Sequence, residues 1–285
     1  IKRNRAGRKE MLTVFFPSGW RLGVPTSRAR RLLVSVGILL SLAFPVAGRE
    51  LLLIGPPWPP YLDDTDSHKG FATEIVKAAL KASGYDTITV RLQPWRRVVW
   101  NARNQTADGL VGVWHTKDRE ALIAFSQPYF LSPIAALLPA GTDLAPRHFN
   151  DLAGLRIAYR EGARFGADFD QADTLNKLPV DTTSNVVQMV AWGRVDAGIE
   201  DKLVAKAIVE ANPTVKSRVR LSAPLLTQPL YFGVVKGKPH SEELLEHFNR
   251  GLNIIRLNGE YGQILRAYGL SDALAPSQVP VRRSE

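Results

Sequence analysis

Cysteine is absent from the 285-residue chain, and methionine occurs only twice. That removes disulfides, a thiol nucleophile and cysteine-ligated zinc together. Signatures of several enzyme classes are missing too: there is no Gly-x-Ser-x-Gly elbow, no Gly-x-x-x-x-Gly-Lys phosphate loop and no dinucleotide fingerprint. No internal repeat or low-complexity tract occurs. The most apolar stretch, residues 32–44, falls short of the roughly 20 residues that span a bilayer comfortably.

Acidic residues are in the minority, with 27 Asp and Glu against 37 Lys and Arg, a formal charge of +10. Such an excess suits nucleic acid when it forms a stripe. Here nine of the basic residues and a single acid, Glu10, lie in residues 1–48. The other 28 basic and 26 acidic groups leave the rest of the chain near neutrality, so no nucleic-acid partner is expected. Residues 1–48 have the layout of an export leader: Arg28, Arg30 and Arg31, an apolar core from Leu32 to Phe44, then Pro45-Val-Ala-Gly48, with cleavage expected near Gly48. An uncleaved anchor is the alternative, and no cysteine follows to carry a lipid. Ile1 to Glu10, ahead of Met11, reads as an extension of the reading frame, and the tail after Ala273 as frayed.

The 237 residues after Gly48 are enough for one large domain or two lobes. Short apolar runs alternate with amphipathic stretches, the pattern of an α/β architecture with mostly parallel strands. Strands are expected at Leu51 to Ile54, Ile88 to Leu92, Gly109 to Trp114, Leu155 to Tyr159 and Asp196 to Ile199. Phe71, Ile75, Val76, Ala79 and Leu80 share one helix face ahead of Gly84, and Trp95 to Asn104, Phe165 to Leu175, Val186 to Trp192 and Leu203 to Val209 read as further helices. Leu131 to Ala140 and Leu230 to Val235 have no helical period and read as two crossings between modules. The expected lobes are residues 49–137 plus 231–285, and 138–230.

One stretch concentrates the chemistry: Gly112-Val-Trp-His-Thr-Lys-Asp-Arg-Glu-Ala-Leu-Ile-Ala-Phe-Ser-Gln-Pro-Tyr-Phe130 sets Arg119 between two apolar strands, where a cleft would want a cation. It resembles the Thr-x-x-Arg-x-x-x-x-x-Phe-Ser-x-Pro-Tyr segment of type II periplasmic solute-binding proteins of amino-acid ABC transporters. Five further segments are similar to that family in the same order: Gly55-Pro-Pro-Trp-Pro-Pro-Tyr61, Gly70-Phe-Ala-Thr-Glu-Ile75, Leu152-Ala-Gly-Leu-Arg-Ile-Ala158, Gly193-Arg-Val-Asp-Ala-Gly-Ile-Glu-Asp201 and Ile255-Arg-Leu-Asn-Gly-Glu-Tyr-Gly-Gln-Ile264. The resemblance implies a bilobal periplasmic-binding-protein-like type II fold, two α/β lobes joined by two crossover strands. It also implies a monomeric periplasmic protein without a cofactor that delivers a small solute, an amino acid or related carboxylate, to an inner-membrane ABC permease.

By the same resemblance, Arg119 holds a ligand carboxylate and Asp201 the ligand's ammonium; the simpler roles are a solvated surface cation and a helix N-cap. Trp58 and Tyr61, in a stiff proline-rich loop, and Trp95 at a helix start are candidate aromatic contacts, with core packing as the alternative. The family's serine and threonine hydroxyls before the arginine, and its Gly-Thr-Thr turn, are here Gly112-Val-Trp114 and Gly162-Ala-Arg164. That leaves Trp114, His115, Thr116, Gly162, Arg164 and Phe165 as candidate contacts, with Arg164 a second cation. An enzyme similar to cyclohexadienyl dehydratases would need His115 and Glu200 to move protons, and a sensory module on the same fold is a third class. His240, Glu243 and His247 have metal-like spacing but read as the solvated start of a helix near Ser241.

Overall fold

In a computed structural model, residues 50–270 are described; the leader, its cleavage site and the tail after Ala273 lie outside the described residues. Strand β1 (Leu51–Gly55) pairs in parallel with β2 (Ile88–Leu92) and β3 (Gly109–Trp114). Strand β5 (Arg156–Arg160) likewise lies between β6 (Asn176–Val180) and β7 (Ala197–Asp201). The two triplets are linked by β4 (Ile123–Pro139) and β8 (Val219–Val235), 17 residues each. These pair antiparallel from Ile123 opposite Val235 to Pro139 opposite Val219. The sheet order is β2-β1-β3-β8-β4-β7-β5-β6.

This register decides where a site can be. Trp114, the last residue of β3, lies opposite Leu230, and Asp201, the last of β7, lies opposite Ile134. Leu230 pairs with Phe130, and Ile134 with Leu226, so both carboxyl ends converge on the middle of the β4–β8 ribbon. Ligands of open α/β sheets sit beyond strand carboxyl ends. Here two such sets face one gap, which is the bilobal fold.

Helices cover the sheet as the apolar periods require. In α1 (Phe71–Ala82) the expected face of Phe71, Ile75, Val76, Ala79 and Leu80 is fully buried. It ends at Gly84, whose φ of 101° only glycine adopts without strain. Helices α2 (Trp95–Arg103) and α3 (Lys117–Glu120) follow β2 and β3. On the other side lie α4 (Ala167–Asp170), α5 (Thr183–Ala191), α6 (Lys202–Glu210) and α7 (Pro213–Lys216). Helices α8 (Ser241–Leu257) and α9 (Glu260–Ala267) return to the first side, where α8 packs on α1 with Gly251 against the backbone of Ala79.

Two expectations need correction, and one strand has no counterpart among them. The helix expected over Phe165 to Leu175 shrinks to the four residues of α4, because Gly166 at φ 96° breaks it and Asp170 turns back to accept from the Phe165 N–H. Strand β6 went unread because it is a largely exposed edge strand, Asn-Lys-Leu-Pro-Val, whose Pro179 a sheet tolerates only at such an edge. Both crossing strands are longer than their apolar runs, with β4 starting at Ile123 and β8 at Val219. Prolines 128, 133, 224 and 229 blurred the pattern. Register shifts along the ribbon absorb this irregular pairing.

Candidate functional site

Between the two converging strand sets lies a cavity of about 400 Å³, a volume typical of small-molecule sites. One wall is the proline-rich loop after β1 with Trp58, the start of α2 with Trp95, and the end of β3 with Gly112, Val113, Trp114 and then Arg119. Facing it are the end of β5 with Arg160, the turn Glu161-Gly162-Ala163, the segment Asp181 to Ser184 entering α5, and Val204 and Ile208 of α6.

Of the residues expected from sequence, Trp58, Trp95, Trp114, Arg119 and Gly162 lie on this surface; Tyr61, His115, Thr116, Arg164, Phe165 and Asp201 do not. His115 is exposed and bonds Glu120 at 2.7 Å. Phe165 is 1% exposed and packs edge-on to Phe169 in the core. Thr116 caps the turn ahead of Arg119, its carbonyl accepting the Arg119 N–H at 3.0 Å. Arg164 is exposed and acts on Arg119 only through space, as a like charge. Arg160, Glu161, Asp181, Thr182, Thr183, Ser184, Val204 and Ile208 were not anticipated.

Arg119 is the electrostatic centre of the cavity. Its Nη1 donates to the Trp114 carbonyl at 2.6 Å, and its guanidinium carbon stands 4.7 Å from the Trp95 ring centroid, a cation–π geometry. Burial pulls its pKa down to about 10, aided by the nearby positive charges of Arg164 and Arg160. It remains charged at neutral pH. Among the described residues no carboxylate lies within ion-pair distance of it. A desolvated cation beside others of its own sign is costly unless an anion joins it.

The two acids ending β7 are spoken for. Glu200 is fully buried; it accepts from the Thr183 hydroxyl at 2.6 Å and the Asp201 N–H at 2.9 Å, and Arg160 Nε stands 3.8 Å away. Asp201 is also fully buried, and its Oδ1 caps α6 by accepting from Leu203 and Val204 N–H groups at 2.9 and 3.1 Å. Its Oδ2 accepts from the Tyr61 hydroxyl at 2.7 Å and from Ser132. Asp201 is therefore a helix cap and a latch to Tyr61 across the gap. Tyr61 itself is buried, stacked on Trp58 at 4.1 Å, and its phenol is pushed well above the usual range by burial and by Asp201. The indole N–H groups of Trp58 and Trp114 are buried, without a hydrogen-bond partner among the described residues.

Burial pushes the Asp201 carboxyl up to about 7, against an ordinary 3.8, even though the Ser132, Tyr61 and Val204 donors oppose the shift; the charge of Glu200 adds to it. The folded state thus keeps this proton to higher pH than the unfolded chain. Its stabilising contribution is full below about pH 4, declines as pH rises and is lost through about pH 7. Asp201→Asn keeps an acceptor for the α6 cap and removes the titration. Thermal unfolding midpoints of both proteins across pH 4–8 are expected to show the wild type losing stability relative to the variant as pH rises. A relative gain would mean that the four donors outweigh burial.

The profile of the bacterial extracellular solute-binding proteins, family 3, matches residues 53–271. ABC transporter arginine-binding protein 1 of Escherichia coli (strain K12) is 24% identical over 241 residues, which are 81% of this chain and 96% of that protein. An ancestral arginine-binding protein bound to arginine superposes with a TM-score of 0.64 at 24% identity, covering 77% of this chain and 97% of that one. A histidine kinase sensor domain with similarity to periplasmic binding proteins gives 0.63 at 23% identity, covering 77% and 95%.

Proposed function

The chain belongs to the bacterial extracellular solute-binding proteins, family 3, and on that premise we propose that it captures a small carboxylate-bearing solute between its lobes and delivers it to an inner-membrane ABC permease. The observation that supports this is Arg119, a half-buried guanidinium without a carboxylate partner among the described residues, set in a cavity whose walls come from both sides of the β4–β8 ribbon. A planar carboxylate matches its fork of donors, and each charge-assisted bond contributes about 1.5–3 kcal/mol. Arg160 offers a second positive charge from the opposite wall, so an anion bridging the walls favours the closed state over the open one. The lobe borders that go with this reading are 49–137 plus 231–285, and 138–230. Export to the periplasm by the leader and action as a monomer go with it too. Among the described residues no helix is long and apolar enough to cross a membrane.

The two arginine-binding relatives reported above are binding proteins, in keeping with a non-enzymatic role. The two candidate proton-moving groups are not brought together at the cavity, His115 being exposed and Glu200 buried. Likeness to a kinase sensor domain supports a second reading, in which closure is reported to a signalling partner.

A thermal-shift screen against amino acids and small organic acids tests the capture step. A solute at 100 times its Kd is expected to add about 2.7 kcal/mol to stability, and a screen flat throughout would remove the proposal. Uptake of the identified solute by cells with and without the protein then separates importer from sensor, since only the importer reading expects uptake to fall.

A further inference from the structure

The cleft carries more information about its solute than the presence of one arginine, and this information bears on the solute's other end. Recognition of an α-amino acid needs two opposite charges met at once: donors for the carboxylate and an acceptor, held out of water, for the ammonium. The first is present in Arg119. The acid expected to supply the second, Asp201, has all its capacity committed to the protein itself.

Both Asp201 oxygens are occupied, one by two backbone N–H groups of α6 and the other by the Tyr61 and Ser132 hydroxyls. Asp201 is 0% exposed and does not line the cavity. The Tyr61 ring stands in the way, itself buried and stacked on Trp58, whose other neighbour is Trp114 at 5.2 Å. Reaching Asp201 would require an ammonium to displace a buried phenol. Glu200 is closed off in the same manner by Thr183, the Asp201 N–H and Arg160.

The acids left on the cavity surface are Glu161 and Asp181, both exposed. An ion pair at a hydrated rim is worth about 0–1 kcal/mol, and an ammonium placed deeper would meet Arg119 and Arg160 with like charge. The lining also has apolar surface: Trp58, Trp95 and Trp114 on the wall of Arg119, and Val204 and Ile208 on the wall of Arg160. The first turn of α5 also borders the cavity, and a helix N-terminus favours negative charge over positive.

We infer that the solute is a carboxylate with an apolar body and no ammonium group, because the buried acid that would receive an ammonium is sealed by Tyr61 and Ser132 while Arg119 and the tryptophans line the cavity. This rests on the capture reading above and narrows it to one chemical class. It departs from the role that the resemblance implied for Asp201.

Matched pairs differing only in the ammonium test it by isothermal titration: 3-phenylpropanoate against L-phenylalanine, indole-3-propanoate against L-tryptophan, and 4-methylpentanoate against L-leucine, with L-arginine as a cationic reference. Native mass spectrometry of the freshly purified protein accompanies the titrations. At least one deamino acid is expected to bind at least ten-fold more tightly than its amino-acid counterpart, or a carboxylate without an ammonium group to be found co-purified. An amino acid that binds as tightly as its deamino partner or more so, or a co-purified ligand carrying an ammonium, overturns the inference and leaves the capture reading standing. Silence from every compound with no co-purified ligand overturns both.

Discussion

Arg119→Met is expected to weaken solute binding by two to three orders of magnitude, about 3–4 kcal/mol, while leaving the fold intact. Methionine is shorter but retains most of the apolar stem, and it removes the guanidinium and with it every charge-assisted bond to a carboxylate. The ligand-free protein should unfold within about 1 kcal/mol of the wild type. The lost bond to the Trp114 carbonyl and the contact with Trp95 are offset by relief of a cation that burial, Arg164 and Arg160 already disfavour. Calorimetric titration of the solute found for the wild type, run beside a denaturation curve, reads both quantities. Arg119→Lys is informative as well: it restores the charge without the fork, so it should recover only part of the affinity. Undiminished binding by Arg119→Met would place the carboxylate elsewhere in the cleft.

Gly251→Ala should have the largest effect on stability, a loss of about 3 kcal/mol, despite substituting the best helix former for a poor one. The propensity gain from such a change is about 1 kcal/mol. Against it, a Cβ at position 251 would stand 1.7 Å from the carbonyl oxygen of Ala79 and 2.6 Å from its carbonyl carbon. Those are backbone atoms in the middle of α1, so neither can swing aside. Helix α8 must back away from α1, and the loss falls at the upper end for overpacked cores. For a protein of this size that corresponds to a fall in thermal midpoint of roughly 6–12 °C. Gly141→Ala is the control: nothing lies within 4 Å of its added carbon, and its midpoint should not move by more than a degree or two.

Sequence and structure agree most closely where a segment's environment is set by its own neighbours in the chain. Gly109 to Trp114 and Ile88 to Leu92 are strands with the expected bounds, and the buried stripe of α1 is the one its period marks. Arg119 was legible because a cation following one apolar strand and preceding another has few structural reasons to be there. Its place on the cavity wall follows from that position. What sequence could not show depends on pairs far apart in the chain. Tyr61 and Asp201 are 140 residues apart, and nothing local to either says that one caps the other. The same holds for Arg160 and Thr183, which matter because β5 and β6 end beside the cavity, and β6, with Pro179 and little alternation, had no pattern to read. Phe165 shows the converse: expected as a contact beside the Gly162 turn, it precedes Gly166, where the chain turns, and its ring packs in the core.

The paired strands β4 and β8 have a consequence for how such a protein can diversify. Everything between Pro139 and Val219 is topologically an insertion between two antiparallel neighbours, entered once and left once. An entire half, carrying Arg160, the Glu161 turn and the start of α5, could be exchanged for another without rethreading the half that holds Arg119. Selectivity at one end of the solute can therefore be rebuilt while the grip on the other end stays as it is.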